Sequence, residues 1–461
     1  LQVPKLEQDI GIEVYATSAA GIGGVIRESV EGFVVEEILV DGSKAETSPS
    51  EGSVDRQVLG SSQVRSPHLL CVLVKRNWDT LMAVRNVAER LGVGVNCVHF
   101  AGLKDAKAIT AQHVTIDEAS VEDVRKVNLT DIDLRPVGYL RRPLSSYFLL
   151  GNSFRVTISQ IGHDKATIRK HISETIGQLG DLGGAPNFYG HQRFGTSRPI
   201  THLVGKALVK GDFEKAAMLF LAQPFPDEHP ESRHARERLR KTRDFRKASE
   251  EFPRQLRYER AMLRRLVEKP DDFVGAFRML PARLRRLFPQ AFQSYLFNKS
   301  LSKRIVDGLP LNRAEAGDYV VGVEHSGLPA AGMFKVTTTE NLSETNNAMQ
   351  AGKMRLALPL VGYKRHPSKG AQGNIVWKIL EAETVKPEDF KISALPEASS
   401  KGELRTAITP INGLALEEAS AYVNDPSKHK TTLSFMLLRG SYATAVLREM
   451  MKPQNLIQAG F

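Results

Sequence analysis

One short stretch is dense in groups that can act on a charged polymer: Phe100-Ala101-Gly102-Leu103-Lys104-Asp105-Ala106-Lys107-Ala108-Ile109-Thr110-Ala111-Gln112. It lies between a β-branched run at 93–98 and an alternating run at 109–116, so Asp105 falls on a tight loop between two strands. Gly102 lets the backbone bend sharply there. Lys104 and Lys107 flank the aspartate, and nearby positive charge favours its ionised form. An exposed carboxylate beside cations at a strand end suits a nucleophile or general base acting on an anionic substrate. By itself, Lys-Asp-Ala-Lys reads more readily as ordinary turn chemistry.

Three further stretches bear on that choice. Asn187-Phe188-Tyr189-Gly190-His191-Gln192-Arg193-Phe194-Gly195 sets aromatic rings, two amides and a guanidinium between glycines. Such rings stack on RNA bases while amide and guanidinium groups hold base edges or phosphates. The same residues also fit a hinge whose rings pack in a core, and composition favours neither. Gly151-Asn152-Ser153-Phe154-Arg155-Val156 reads as a turn entering a strand with a buried Phe. Gly440 to Glu449 reads as a turn, a Ser441 N-cap and a helix whose first N–H groups could hold a phosphate.

The elements that must position these groups are legible from periodicity. Strands are expected at 34–40 and 68–75, followed by a helix capped by Asp79 and stopped by Gly92. Leu81, Val84, Val87, Ala88 and Leu91 would form that helix's buried face. The segment 41–67, rich in Ser, Gly and acidic residues, reads as a long exposed loop. A second helix should span 164–179, with Ile168, Ile172 and Ile176 spaced four apart. Further on come a helix at 289–306 with Pro289 in its first turn, a loop-like stretch at 384–406, a helix at 414–423 and a strand at 433–438. Strands and helices with mostly short connections imply an α+β architecture.

At 461 residues two domains are expected. The 63 basic against 52 acidic side chains favour a polyanionic partner. Between Arg233 and Arg286 stand 18 Lys or Arg against 8 Asp or Glu, so most of the excess charge sits in one helical region that suits phosphate contacts. No apolar run reaches the length of a membrane helix, and the first 13 residues do not form a signal peptide. Cys71 and Cys97 read as buried thiols in a reducing cytoplasm, and the twelve histidines lack His-x-x-x-His spacing, so no metal is expected.

Taken together, these stretches resemble the TruD-type tRNA pseudouridine synthases, especially the archaeal-like members. The resemblance rests on Ala-Gly-Leu-Lys-Asp with Thr110 and Gln112, Gly-Asn-x-Phe at 151–154, the Asn187–Gly195 block, and Gly-Ser-Tyr-Ala-Thr at 440–444, all in the family's order. It implies a pseudouridine-synthase catalytic domain with a mixed, mainly antiparallel sheet (1–186 and 409–461), interrupted by an inserted α/β TRUD domain (187–408). It further implies conversion of uridine, at position 13 of tRNA, to pseudouridine without a cofactor. Asp105 matches the family's catalytic aspartate, Phe154 the ring beside the target uracil, and Asn152 a polar neighbour of Asp105. Lys104, Asn187, Gln192, Arg193 and Phe194 complete the expected substrate-binding set. Arg27 stands where bacterial members carry a lysine; it keeps the charge but does not transfer a proton at neutral pH. A non-catalytic RNA-binding protein remains the competing reading of the same charge pattern.

Overall fold

The computed structural model describes residues 2–48 and 57–461, so the middle of the expected 41–67 loop lies outside the described residues. The first strands in chain order are β1 (Phe33–Leu39), β2 (His68–Arg76), β3 (Val98–Phe100), β4 (Ile109–Asp117), β5 (Ile132–Leu140) and β6 (Leu149–Ile161). A two-residue strand β7 (Ala185–Pro186) follows, then β8 (Tyr319–Val323), β9 (Pro329–Val336), β10 (Met354–Leu360) and β11 (Glu403–Thr406). The chain closes with β12 (Ile408–Thr409), β13 (Asn412–Leu416), β14 (Ser420–Tyr422) and β15 (Asp425–Leu438).

The large sheet runs β13-β15-β6-β1-β4-β2-β5, with β14 beside β15 and β3 beside β4. Only β1 and β4 pair parallel; its other pairings are antiparallel. A second sheet, β11-β10-β8-β9, is antiparallel throughout and belongs to the segment between β7 and β12. The short β7–β12 pair joins the chain entering that segment to the chain leaving it, with Pro186 opposite Ile408. The architecture is α+β with a mixed sheet, as the alternation of elements implied.

Local signals hold where local chemistry decides. Asp79 accepts from the Leu81 and Met82 amides, the helix spans Thr80–Leu91, and Gly92 closes it at φ 69°. Asp164 likewise caps the helix Lys165–Asp181 through the Thr167 amide. Within the first of these, Leu81 is 49% exposed and Ala83 takes its place in the core. The run 93–98 yields only a single 3-10 turn before the short β3. The helix expected from Pro289 begins seven residues earlier and spans Ala282–Val306, with the proline inside it. Residues 414–423 form β13 and β14 rather than a helix, because pairing with β15 supplies backbone partners that an isolated apolar spacing does not reveal. The 384–406 stretch ends in β11, which pairs with β10. Ser441 caps nothing: its hydroxyl donates to Thr409 Oγ1 at 2.8 Å, and the helix Ala443–Met451 starts without a side-chain cap.

That final helix is anchored through Arg448, whose guanidinium meets Glu7 at 2.8 Å in a fully buried pair. The turn after it carries the chain end back to the N-terminal segment, where the Ile26 amide donates to Ala459. Both cysteines are free thiols, Cys71 buried and Cys97 half-buried.

Candidate active site

Asp105 sits on the loop between β3 and β4, with its side chain 26% exposed. Its Oδ1 accepts from Arg27 Nη2 at 3.0 Å and from Gln192 Nε2 at 3.1 Å. No hydrogen bond to Oδ2 occurs among the described residues, so one carboxylate oxygen is fixed and the other left free. Arg27 comes from the chain before β1, and Gln192 from the 3-10 turn His191–Arg193 at the start of the long segment between β7 and β12. Three separate parts of the sequence therefore meet at one carboxylate.

Arg27 is itself constrained. Its φ is 57°, a left-handed conformation uncommon for a non-glycine residue, and such outliers gather at functional sites. Nη1 donates to the Gly460 carbonyl at 2.9 Å, and the guanidinium lies 4.1 Å from the centre of the Phe33 ring. Gly102, by contrast, shows no positive φ; the left-handed residue of the site is Arg27.

The loop is held from beneath by Lys75 and Thr80, which the sequence did not single out, and by Gln112 of the motif itself. Lys75, at the end of β2, is fully buried and donates from Nζ to the main-chain oxygens of Trp78 and Asp105, each at 2.7 Å. Burial lowers its pKa to about 8, against the opposing pull of Asp105 and Asp79. Thr80 Oγ1 accepts from the Lys104 amide at 3.1 Å, and Gln112 Nε2 donates to the Gly102 carbonyl at 3.2 Å. Lys75 was visible only as a charged residue ending an apolar strand run; that mismatch was the available signal.

Lys104 turns away from the carboxylate. Its ammonium pairs with buried Glu37 at 2.7 Å, and Glu37 also accepts from the His113 amide at 2.9 Å. Burial pushes the Glu37 carboxyl up, but the hydrogen bond from the His113 ring, at 3.3 Å, and the Lys104 charge outweigh it and hold the carboxyl below its usual range. Arg27 thus supplies the ion-pair partner expected from the neighbouring lysines, while Lys107 is exposed. The physical reason is direction: successive residues on a loop cannot all face one side, and a buried carboxylate claims the nearest cation.

Phe154 lies on β6 opposite Val35 of β1 and Phe435 of β15. It is 6% exposed, stacks on Phe435 at 5.4 Å and meets Phe33 edge-on at 6.5 Å. Arg27, Phe33, Phe154 and Phe435 form a continuous row leading away from Asp105. One ring face of Phe154 is covered by Phe435. Asn152, two residues earlier on the same strand, keeps a buried Oδ1 without a partner among the described residues, as does the Thr110 hydroxyl on β4. Buried acceptors of this kind are expensive unless something satisfies them. Gly151 is required by close approach: a Cβ there would lie 2.1 Å from the Leu437 carbonyl. Phe154→Ala should cost about 3–5 kcal/mol of stability through weakened packing. Urea unfolding of the variant beside wild type checks this, and an unchanged midpoint would remove Phe154 from the core.

The rest of the Asn187–Gly195 block divides between site and scaffold. Asn187 is buried and binds the Thr406 carbonyl and hydroxyl at 3.2 and 3.1 Å, while its Oδ1 accepts from Arg405. Gly190 packs against Thr444 and Tyr442, which joins this block to the 440–444 motif. Arg193 reaches Ser294 Oγ at 3.2 Å and Gln290 at 3.4 Å. Phe194 is fully buried against His202 and does not approach Asp105. Only Gln192 of this block touches the carboxylate; for Phe194 the hinge-packing alternative describes the observed position.

Residues 9–450 match the model of the family described as tRNA pseudouridine synthase D (TruD). A Methanosarcina barkeri protein named as a probable tRNA pseudouridine synthase D is 39% identical over 456 residues, covering 99% of each chain. A Pyrococcus abyssi protein of the same name is 34% identical over 438 residues, covering 95% of this chain and 98% of its own. A crystal structure of the Methanosarcina mazei TruD protein superposes with a TM-score of 0.82 at 37% identity, covering 98% of this chain and 99% of that one. The chain therefore belongs to the tRNA pseudouridine synthase D (TruD) family.

Proposed function

We propose that this protein isomerises uridine at position 13 of tRNA to pseudouridine, with Asp105 as the essential carboxylate. The observation that carries this reading is the carboxylate with one oxygen clamped by Arg27 and Gln192 and the other unbonded. In the reaction the N1–C1′ bond breaks, the base rotates, and C5 joins C1′; C5 loses its proton and N1 gains one, so nothing is consumed. The free Oδ2 either attacks the sugar or removes a sugar proton, and Arg27 orients the carboxylate without exchanging a proton itself. The uridine must leave its stack to reach Asp105. The unpaired Asn152 and Thr110 oxygens are the polar groups offered to it, with the Phe154 ring beside them on β6.

In the same reading, residues 1–186 and 409–461 form the catalytic domain and 187–408 the insertion. The β7–β12 pair at the crossing point and the separate four-stranded sheet support that division. A place in the cytoplasm, with tRNA as partner, accords with a chain whose described helices include none long and apolar enough to cross a membrane.

The basic region enters as a tRNA-binding surface, after subtraction of the charges used internally. Arg236 is buried between Glu228 and Glu259, Arg238 pairs with Glu251, Arg243 with Glu214, and Arg265 with Asp272. Arg240, Lys241, Arg246 and Lys247 remain exposed without such partners among the described residues. Replacing these four by Gln should weaken tRNA binding and lower the salt slope by about 3, at roughly 0.7–0.9 for each phosphate no longer neutralised. Filter-binding titrations at several salt concentrations measure this; an unchanged slope would turn the surface away from the RNA.

The direct test of the function is incubation of purified protein with an unmodified tRNA transcript, without added cofactor, followed by mapping of pseudouridine. Product confined to position 13 supports the proposal, and product confined to another position overturns the assignment of the target uridine. Absence of product, or equal product from Asp105→Asn, overturns it.

A further inference from the structure

A second cluster of chemically capable side chains lies at the opposite end of β4 from the catalytic loop. Ile109 and Asp117 bound this strand, so the two ends are roughly 27 Å apart at the usual rise of ~3.4 Å per residue. His68 begins β2, His99 lies in the middle of β3, and Asp117 ends β4. His68 pairs directly opposite Asp117, and His99 lies opposite Thr115, two residues from it on the same strand face. The Asp117 carboxylate consequently stands between two imidazoles. His68 Nδ1 is 2.6 Å from its Oδ1, and His99 Nε2 is 3.0 Å from Oδ2. The three candidate donor atoms all lie within 4.8 Å of one another, and all three residues are partly exposed.

We propose that His68, His99 and Asp117 bind a divalent transition-metal ion of the Zn2+ class. Two imidazole nitrogens and one carboxylate oxygen are the donor types that such ions prefer. Zinc bonds of about 2.0–2.2 Å need donors a little over 3 Å apart, so a small outward movement of the rings from their contacts with Asp117 is sufficient. Partial exposure leaves the remaining coordination position to water. The donors come from three strands, so an ion here ties β2, β3 and β4 together. It holds in particular β3, a three-residue strand that runs directly into the loop bearing Asp105. The ion's role is structural, because the cluster lies far from the reacting carboxylate.

The competing reading is a carboxylate that accepts a hydrogen bond from each ring, with no affinity for metal. The two are separated by titrating tag-free, chelator-stripped full-length protein with Zn2+ in a calorimeter, and with Co2+ while recording its visible spectrum. The proposal expects one ion per chain and a tetrahedral Co2+ spectrum. Asp117→Asn and His99→Ala should each weaken binding by more than the roughly 10- to 100-fold that loss of a supporting residue costs. Asp117→Asn keeps the side-chain shape and guards against a folding artefact, and exposed His366→Ala serves as the control that changes nothing. No stoichiometric binding by wild type, or equal binding by Asp117→Asn and His99→Ala, would overturn the site whether or not the protein is active on tRNA.

Discussion

Asp105→Asn should lower single-turnover pseudouridine formation by roughly 10²–10⁴-fold or more, the range for losing an essential acid–base or nucleophilic group. Binding of tRNA should change little. The amide matches the carboxylate in shape, and its oxygen can still accept from Arg27 or Gln192, which now hold Oδ1 at 3.0 and 3.1 Å. What disappears is the negative, basic oxygen. Release of tritium from tRNA labelled at uracil C5 follows the reaction, because C5 gives up its hydrogen when it joins C1′. A variant that keeps more than about a hundredth of wild-type rate would be too active for this assignment.

Lys75→Met should produce the second-largest effect, although the lysine touches no reacting atom. Its ammonium holds the main-chain oxygen of Asp105 itself, and a second bond to Trp78 fixes the ammonium in turn. Methionine fills much of the space but leaves both carbonyls without that donor, at about 1–3 kcal/mol for each buried unsatisfied group. A carboxylate displaced by ~1 Å can lose on the order of 100-fold in rate, so kcat should fall by about that factor with KM nearly unchanged. A purely structural role would instead give full kcat in the folded fraction.

The same lysine gives a pH signature. Its folded pKa of about 8 lies below its ordinary value of 10.5, because burial opposes the charge. Between these values the unfolded chain holds the proton and the folded chain does not, so stability from this group rises with pH across that window. Below pH 8 both states are protonated and the cost of burying the charge is fully present. Lys75→Met should abolish the rise. Urea unfolding of both proteins at pH 7 and 9.5 measures the difference, and parallel pH dependences would show that Lys75 does not titrate there.

Much of this protein was legible without tertiary information where the deciding interaction is local. Asp79 and Gly92 delimit a helix because a carboxylate cap and a left-handed glycine act within a few residues of the chain. β2 and β4 follow from continuous and alternating apolar runs. Asp105 could be placed on its loop from the two strands around it, and four motifs in order carried the family. Residues 414–423 show the limit, since their apolar spacing fits a helix and only the long β15 makes them strands.

The site needed the fold. Arg27 and Gln192 lie 78 and 87 positions from Asp105, and nothing local brings them to one oxygen. Whether Lys104 or Arg27 faces the carboxylate depended on buried Glu37, and whether Phe194 or Gln192 reaches the site depended on which side of a 3-10 turn meets a core. The partners of Lys75 and the His68–His99–Asp117 cluster were illegible for the same reason. Their meaning lies in strand register, which sets side chains from distant segments opposite one another and is fixed by long-range pairing of the whole sheet rather than by neighbours in sequence.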